Sequence, residues 1–526
     1  MDHCLKIPEV IRFICDGLNS ESAYSMALVA RRFVEPALDV RWEIVPSLMS
    51  IVSCLPHDLW AVTTWEPSVK VAVLARAITP ADLKRYLDVY ARRIRTIRDW
   101  GKKVHVSSQV LQALQVATDF KPGALSPSLE SFDTATLKPE VLEQTMGNYH
   151  SANIGSTIWL FVHPQMTALN ISASSADPLY MSSIHLTATR LPNMKELTIA
   201  IGYESLEDPF VDRYLEASSW DQLETLHVHV DCADNIAYLE PSTIQRLARL
   251  PCLKELTLHD MLDVPQPLHV LDLGGRVPSL EPWPYPFLSL TTLSLNALVP
   301  SDIAAFLGYL PPKCKLTSLV CDTLNEGSDE DTQNIINMAL DRCDHDKLKA
   351  FTMKVNDFGG EEDEVVELDE DGGLNIEPLL AFNKLHSLCI VIDGACRITP
   401  DIAAQMPAAW PEMKTMDFQS TFSTTQIPSI DHTHLLALIH GLPLLEHLGI
   451  RFNGTKISGH ELVAGAPLPL KTLYVGDSPI SSPSKTTSFI KANFSLREPP
   501  SIHWRKTWKI PLCRTRWEVV RTSCVP

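Results

Sequence analysis

One phrase, repeated along most of the chain, limits the folds open to it. It is a hydrophobic residue, two spacers, a hydrophobic residue, one spacer and a hydrophobic residue. It stands as MKELTI at 194–199, LETLHV at 223–228, LKELTL at 253–258, LTTLSL at 290–295 and LTSLVC at 316–321. It returns as LKAFTM at 348–353, LHSLCI at 385–390, MKTMDF at 413–418, LEHLGI at 445–450 and LKTLYV at 470–475. Looser copies lie at 94–98, 129–134 and 166–171. The last two hydrophobic positions are separated by one residue, so both side chains share one face of a strand. The first anchors the turn into that strand. A neighbouring parallel strand then needs a return path, usually a helix.

Return helices are legible between the copies. SDIAAFLGYL at 301–310 has Ser301 as a possible N-cap, and DTQNIINMAL at 331–340, DHTHLLALIH at 431–440 and STIQRLARL at 242–250 have apolar residues at helical spacing. Leu-Pro at 191–192, 250–251 and 442–443 ends a helix before the next strand, because proline disfavours helix in the residue before it. Copies spaced by roughly 25 to 37 residues fit a leucine-rich-repeat solenoid. The expected fold class is therefore α/β, with parallel strands on a concave face, helices on a convex face, and longer insertions looping off an uneven arc. A string of unrelated α/β units with chance matches is the competing reading.

With 526 residues the chain exceeds what one core can serve, which also favours repeats or several domains. The formal net charge of −18 argues against a general nucleic-acid or anionic-membrane binder. No apolar run of about 18 residues exists, so no transmembrane span is expected. No basic-then-apolar leader opens the sequence. The 12 cysteines form no CxxC pair and read as reduced, buried thiols, which fits a cytoplasmic or nuclear protein.

Residues 1–55 lack the strand phrase and read as short helices. Pro8 suits the first turn of one helix, and Ile7, Val10, Ile11, Ile14 and Leu18 then fall on one apolar face. Asn19 or Ser20 breaks the chain, a second helix runs through MALVARRF, and Pro36 opens a third segment ending at Trp42. The combination IPEVIRFI…ALVARRFVEPALDVRW, followed by CLPHDLW at 54–60, resembles the F-box-like families of mushroom-forming fungi. The repeats behind it match the architecture of F-box/leucine-rich-repeat proteins. The resemblance implies that the helices bind the Skp-type linker of a cullin–RING ubiquitin ligase and that the repeats capture a protein substrate. Carried over by position, the linker-facing residues are Ile7, Pro8, Val10, Ile11, Ile14, Leu18, Ala27, Leu28, Val29, Phe33, Leu38 and Trp42. A helical unit this short cannot bury its own apolar face, so a partner or the first repeat must cover it.

The expected organisation is thus an F-box-like motif at 1–55, a helical bridge at 56–92, a solenoid at 93–496 and a C-terminal cap or tail at 497–526. In the bridge, Thr79 and Pro80 start a helix as N-cap and first helical residue. Residues between the hydrophobic positions of each strand point onto the exposed sheet face, the usual binding surface of a solenoid. Those singled out for substrate binding are His227, His229, His259, Asn296, Lys354, Asp417, Gln419, Arg451 and Tyr474. They are polar and of mixed sign, which suits protein recognition.

Catalytic and cofactor signals are weak. His227 and His229 share one side of a strand near Asp231 and Cys232, but no second ligand pair matches them, so no metal or cofactor is expected. No P-loop, GxSxG, HExxH or GxGxxG is present. The acidic stretch 361–373 reads as a solvated insertion, and the basic, Trp-containing segment 497–526 as a cap or tail more than a nucleic-acid site. The chain reads as an adaptor and not an enzyme, with a repeat scaffold free of ligase coupling as the alternative.

Overall fold

A computed structural model describes residues 7–66, 69–98, 104–137, 157–173, 178–201, 210–230, 241–259, 287–324, 327–355, 373–392, 394–420, 427–462, 467, 470–496 and 511–524. The chain divides into two units, Met1–Ala237 and Tyr238–Pro526.

The first unit opens with three helices: α1 (Pro8–Asp16), α2 (Ser20–Val29) and α3 (Arg31–Glu43). Pro8 takes the first helical position of α1, where a missing N–H costs nothing. Asn19 caps α2 by accepting from the Ser22 N–H at 2.8 Å. The expected third segment differs: Pro36 lies inside α3, and the break falls at Ala30, whose backbone is extended. Strand β1 (Ile44–Val45) and the short helix α4 (Leu48–Val52) follow.

The segment expected as a helical bridge is partly strand. Trp60–Glu66 (β2) and Val69–Leu74 (β3) pair antiparallel. The alternation of Val69, Val71 and Val73 has a two-residue period, which favours strand over helix. Helix α5 (Pro80–Val89) then starts as expected, with a reciprocal capping box between Thr79 and Asp82. Strands β4 (Thr96–Ile97) and β5 (Val104–Val106), helix α6 (Ser108–Ala117), and strands β6 (Ser131–Asp133) and β7 (Ala168–Ala173) follow. Helix α7 (Pro178–Arg190), β8 (Glu196–Ile201), α8 (Phe210–Glu216) and β9 (Thr225–Val230) complete the unit. Its main sheet runs β1-β4-β6-β7-β8-β9, and β5 joins β3 in the smaller sheet.

The second unit begins with α9 (Pro241–Ala248), β10 (Glu255–His259) and β11 (Thr292–Ala297). Next come α10 (Pro300–Gly308), β12 (Ser318–Thr323), α11 (Asp329–Arg342) and β13 (Ala350–Val355). Strands β14 (Leu374–Asn375), β15 (Ser387–Ile392) and β16 (Cys396–Arg397) precede α12 (Pro400–Ala409) and β17 (Thr415–Ser420). The unit ends with α13 (His432–Gly441), β18 (His447–Gly449), β19 (Thr472–Tyr474), α14 (Pro483–Asn493) and α15 (Pro511–Cys524). Strands β10-β11-β12-β13-β15-β17-β18-β19 form one parallel sheet.

Every copy of the phrase falls on one of these strands, and the pattern explains the core. Leu290, Leu293 and Leu295 are buried, as are Leu316, Leu319 and Cys321 in the next copy. The residue after the first hydrophobic position also has a recurring role, because its carbonyl accepts two N–H groups from the following copy. Thr291 and Thr292 donate to Lys254, Thr317 and Ser318 to Thr291, and Lys349 and Ala350 to Thr317. The architecture is α/β with parallel strands and return helices, compatible with a repeat solenoid. Helix α10 begins two residues earlier than a Ser301 N-cap implies, with Pro300 at its first position and Val299 at the N-cap.

At the C-terminal end, Trp517 of α15 is fully buried and donates from Nε1 to the Ser478 carbonyl at 2.7 Å. Arg516 reaches the Ile480 carbonyl at 2.6 Å. Helix α15 therefore covers the last repeat, as a cap does. Most of the acidic stretch, 361–372, and the basic residues at 497–510 lie outside the described residues.

Candidate functional site

The parallel register of the second unit lines up side chains that the sequence separates by dozens of residues. Asn296 pairs with Asp322, Asp322 with Lys354, Lys354 with Val391 and Val391 with Gln419. A second row pairs Thr352 with Cys389, Cys389 with Asp417, Asp417 with Gly449 and Gly449 with Tyr474. The burial alternation sends the aliphatic partners of these residues inward and leaves Asn296, Asp322, Lys354, Cys389, Asp417, Gln419 and Tyr474 half-buried on the other face. His259 and Arg451 are likewise half-buried. Parallel pairing thus builds a polar strip two residues wide.

The strip has internal structure. Gln419 Nε2 donates to Asp417 Oδ2 at 2.6 Å. Arg451 forms an ion pair with Asp477. Oδ1 of Asn296 and Oδ1 of Asp322 are buried, and neither has a hydrogen-bond partner among the described residues. Burial raises the Asp322 carboxyl, against the lowering effect of Lys354 and His259. Burial also pushes the Cys389 thiol up to about 11, with the Asp417 and Asp322 charges adding to the rise and Lys354 opposing it. A thiol held that high stays protonated at neutral pH and is a poor nucleophile. Tyr474 is raised by burial and by the charges of Asp417 and Asp477.

Seven of the nine residues chosen from sequence lie in this unit: His259, Asn296, Lys354, Asp417, Gln419, Arg451 and Tyr474. His227 and His229 belong to the first unit, on β9. Their suspected neighbours Asp231 and Cys232 lie outside the described residues. Among the described residues, no group of three or more His, Cys, Asp or Glu side chains is placed to hold a metal ion. Asp322, Cys389 and Asp477 join the strip without having been singled out from sequence. A signal for Asp322 exists, because it stands one residue past the phrase LTSLVC, as Asn296 does past LTTLSL. Asp477 lies beyond β19 and carries no such signal.

The N-terminal helices present a second surface, and it differs from the expected one. Ile11 and Phe33 form a small core with Cys15 and Ala37, against which Met26, Ala27, Ala30 and Val40 pack. Trp42 is buried with its ring centroid 4.7 Å from that of Tyr90. Ile11, Phe33 and Trp42 are therefore interior side chains, not an open linker face: the three helices pack around the first two, and Tyr90 beyond α5 lies against the third. Val10, Ile14, Leu18, Ala27 and Leu38 are half-buried, and Pro8 is exposed. Ile7, Leu28 and Val29 are 46%, 72% and 70% exposed, and Phe13 and Tyr24, neither of them among the expected contacts, are 80% and 57% exposed. Phe13 falls off the Ile7–Val10–Ile11–Ile14–Leu18 stripe, so helical spacing alone does not select it.

Arg93 ties these helices to the segment after α5. Its side chain is almost fully buried; it donates to the Val89 carbonyl at 2.7 Å and to the Glu35 carbonyl at 3.1 Å. It also pairs with the carboxylates of Glu35 and Asp39. Glu35 is held below the usual carboxylate range, first by the Arg93 hydrogen bond.

No family model matches the chain, and no curated protein matches it. Solved structures that it matches include the crystal structure of a Rad7 and Elc1 complex in yeast. That match has 13% sequence identity, covers 68% of this chain and 82% of that chain, and has a TM-score of 0.29. A score this low carries no argument about function. No helix among the described residues is long and apolar enough to cross a membrane.

Proposed function

We propose that the chain is a protein-recognition adaptor: the strip of the second unit holds a protein substrate, and the N-terminal helices couple it to the Skp-type linker of a ubiquitin ligase. The observation that carries the first half is the in-register polar strip, assembled by the repeat from Asn296 to Tyr474. Its half-buried polar side chains suit the mixed hydrogen bonding and ion pairing of a protein interface. The second half rests on the F-box-like sequence and on the apolar side chains left exposed at Ile7, Phe13, Leu28 and Val29. The chain's contribution to ubiquitin transfer would be proximity, by raising the effective concentration of substrate lysines near the conjugating enzyme.

One observation favours a scaffold without ligase coupling. Ile11, Phe33 and Trp42, which the resemblance assigns to the linker, are already covered. Co-purification of the full chain with a Skp-type linker separates the two readings. The adaptor reading expects capture by the wild type and at least tenfold weaker capture by Phe13→Asp or Leu28→Asp, about 1.4 kcal/mol or more, with an unchanged circular dichroism spectrum. No capture by a folded wild type would favour the scaffold. Ile11→Asp is unsuitable for this test, since a charge in the helical core would unfold the motif itself.

A further inference from the structure

Cys314 and Cys343 are brought together by the fold. Cys314 lies between α10 and β12, and Cys343 directly follows α11. They form a parallel bridge outside the main strands. The Cys314 N–H donates to the Arg342 carbonyl at 2.7 Å, and the Asp344 N–H donates to the Cys314 carbonyl at 3.0 Å. Residues bridged in this way project their side chains to the same side, and the two Sγ atoms lie 3.9 Å apart. Both residues are buried, at 4% and 2% exposure. Neighbouring strands lie about 4.8 Å apart, which falls within the Cα separations of about 4.4–6.8 Å that disulfides span. Side-chain rotation can therefore close the remaining gap without breaking the bridge.

We propose that Cys314 and Cys343 form a reversible disulfide under oxidising conditions, linking the consecutive repeats that carry Asp322 and Lys354. A hydroperoxide is the oxidant. The Cys314 thiolate attacks the peroxide oxygen, giving a sulfenic acid and an alcohol, or water from hydrogen peroxide. The Cys343 sulfur then attacks the sulfenic sulfur, the S–S bond forms, and the hydroxyl leaves as water with the Cys343 proton. The two thiols are oxidised by two electrons and the peroxide is reduced by two. Cys314 suits the first step: it is the more exposed of the pair, and the hydrogen bond with Cys343 holds its thiol below the usual value. Cys343 is raised by that same hydrogen bond and by burial, so it keeps its proton until the second step. Burial makes the reaction slow and selective, since peroxide gains access only when the bridge opens transiently.

The full chain tests this directly. It is incubated with hydrogen peroxide, its remaining thiols are alkylated after denaturation, and it is mapped without reduction. The expected result is a cross-linked peptide pair containing Cys314 and Cys343, lighter by two hydrogens and restored by dithiothreitol. The thermal midpoint of the oxidised form should rise, because the link restricts the unfolded chain. In Cys343→Ser the reaction should stop at a Cys314 sulfenic acid that dimedone traps, whereas the wild type gives no dimedone adduct at Cys314. Alkylation of both cysteines after prolonged exposure would overturn the proposal. So would accumulation of a Cys314 sulfenic or sulfinic acid in the wild type.

Discussion

Gly449 shows how a single residue shapes the strip. A Cβ at this position would stand 1.8 Å from Oδ1 of Asp417 on the neighbouring strand. The carboxylate occupies the space that a side chain would fill, and Gln419 holds its other oxygen. Gly449→Ala must displace Asp417, and overpacking of this kind costs about 1–3 kcal/mol. Urea denaturation should show that loss as a lower midpoint with an unchanged slope. An unchanged midpoint would mean that Asp417 rotates away at no cost. Nothing in the local sequence announces this contact. In LEHLGI the glycine reads as a gap between Leu448 and Ile450, and only the register with β17 places it beside Asp417. Choosing Asp417 and Tyr474 from sequence is possible because strand period alone decides which face they occupy. That they share one neighbour is not legible, since it depends on alignment between repeats of unequal length.

At the scale of elements, local signals carry most of the fold, and the exceptions come from competing local chemistry. Thr79 caps its helix as the sequence implies, and every copy of the phrase is strand. The expected bridge fails at β2 and β3 because it extends the helix after Thr79 backwards over a valine-rich hairpin. The loop after β18 has a pH dependence that the sequence does not announce. Burial would raise the Glu461 carboxyl, but hydrogen bonds from Ser458 and Gly459 outweigh it and bring it down to about 2. The backbone N–H groups of Ser458 and Gly459 donate to its two oxygens at 2.6 and 2.8 Å. His432 Nε2 lies 3.6 Å from it. A depressed folded-state value means the stabilisation is complete above the unfolded value of about 4.3 and is lost as pH falls towards about 2. Thermal midpoints measured across that window should fall less steeply for Glu461→Gln than for the wild type. Parallel curves would show that Glu461 does not set the acid sensitivity of this loop.

At the scale of the molecule, repeat arrays gain stability from contacts between neighbours, so an end needs protection. In the second unit that protection comes from α15. Trp517 lies against Phe452, with ring centroids 6.4 Å apart, and its Nε1 satisfies the Ser478 carbonyl. The basic, Trp-rich composition of 497–526 leaves cap and tail equally open in the sequence, because only tertiary contact distinguishes a buried tryptophan from an exposed one. Trp517→Ala removes a fully buried ring and should cost about 3–5 kcal/mol. The consequence should be graded along the array. Hydrogen exchange should quicken first in β18 and β19, where loss of α15 leaves repeat backbone uncovered, and least in β10 and β11. Asn296 and Asp322 would then keep their paired strands while Tyr474 loses its own, so the two ends of the strip would separate experimentally. Uniform acceleration from β10 to β19 would instead mean that the second unit opens as one cooperative block, and that the cap stabilises all of its repeats equally.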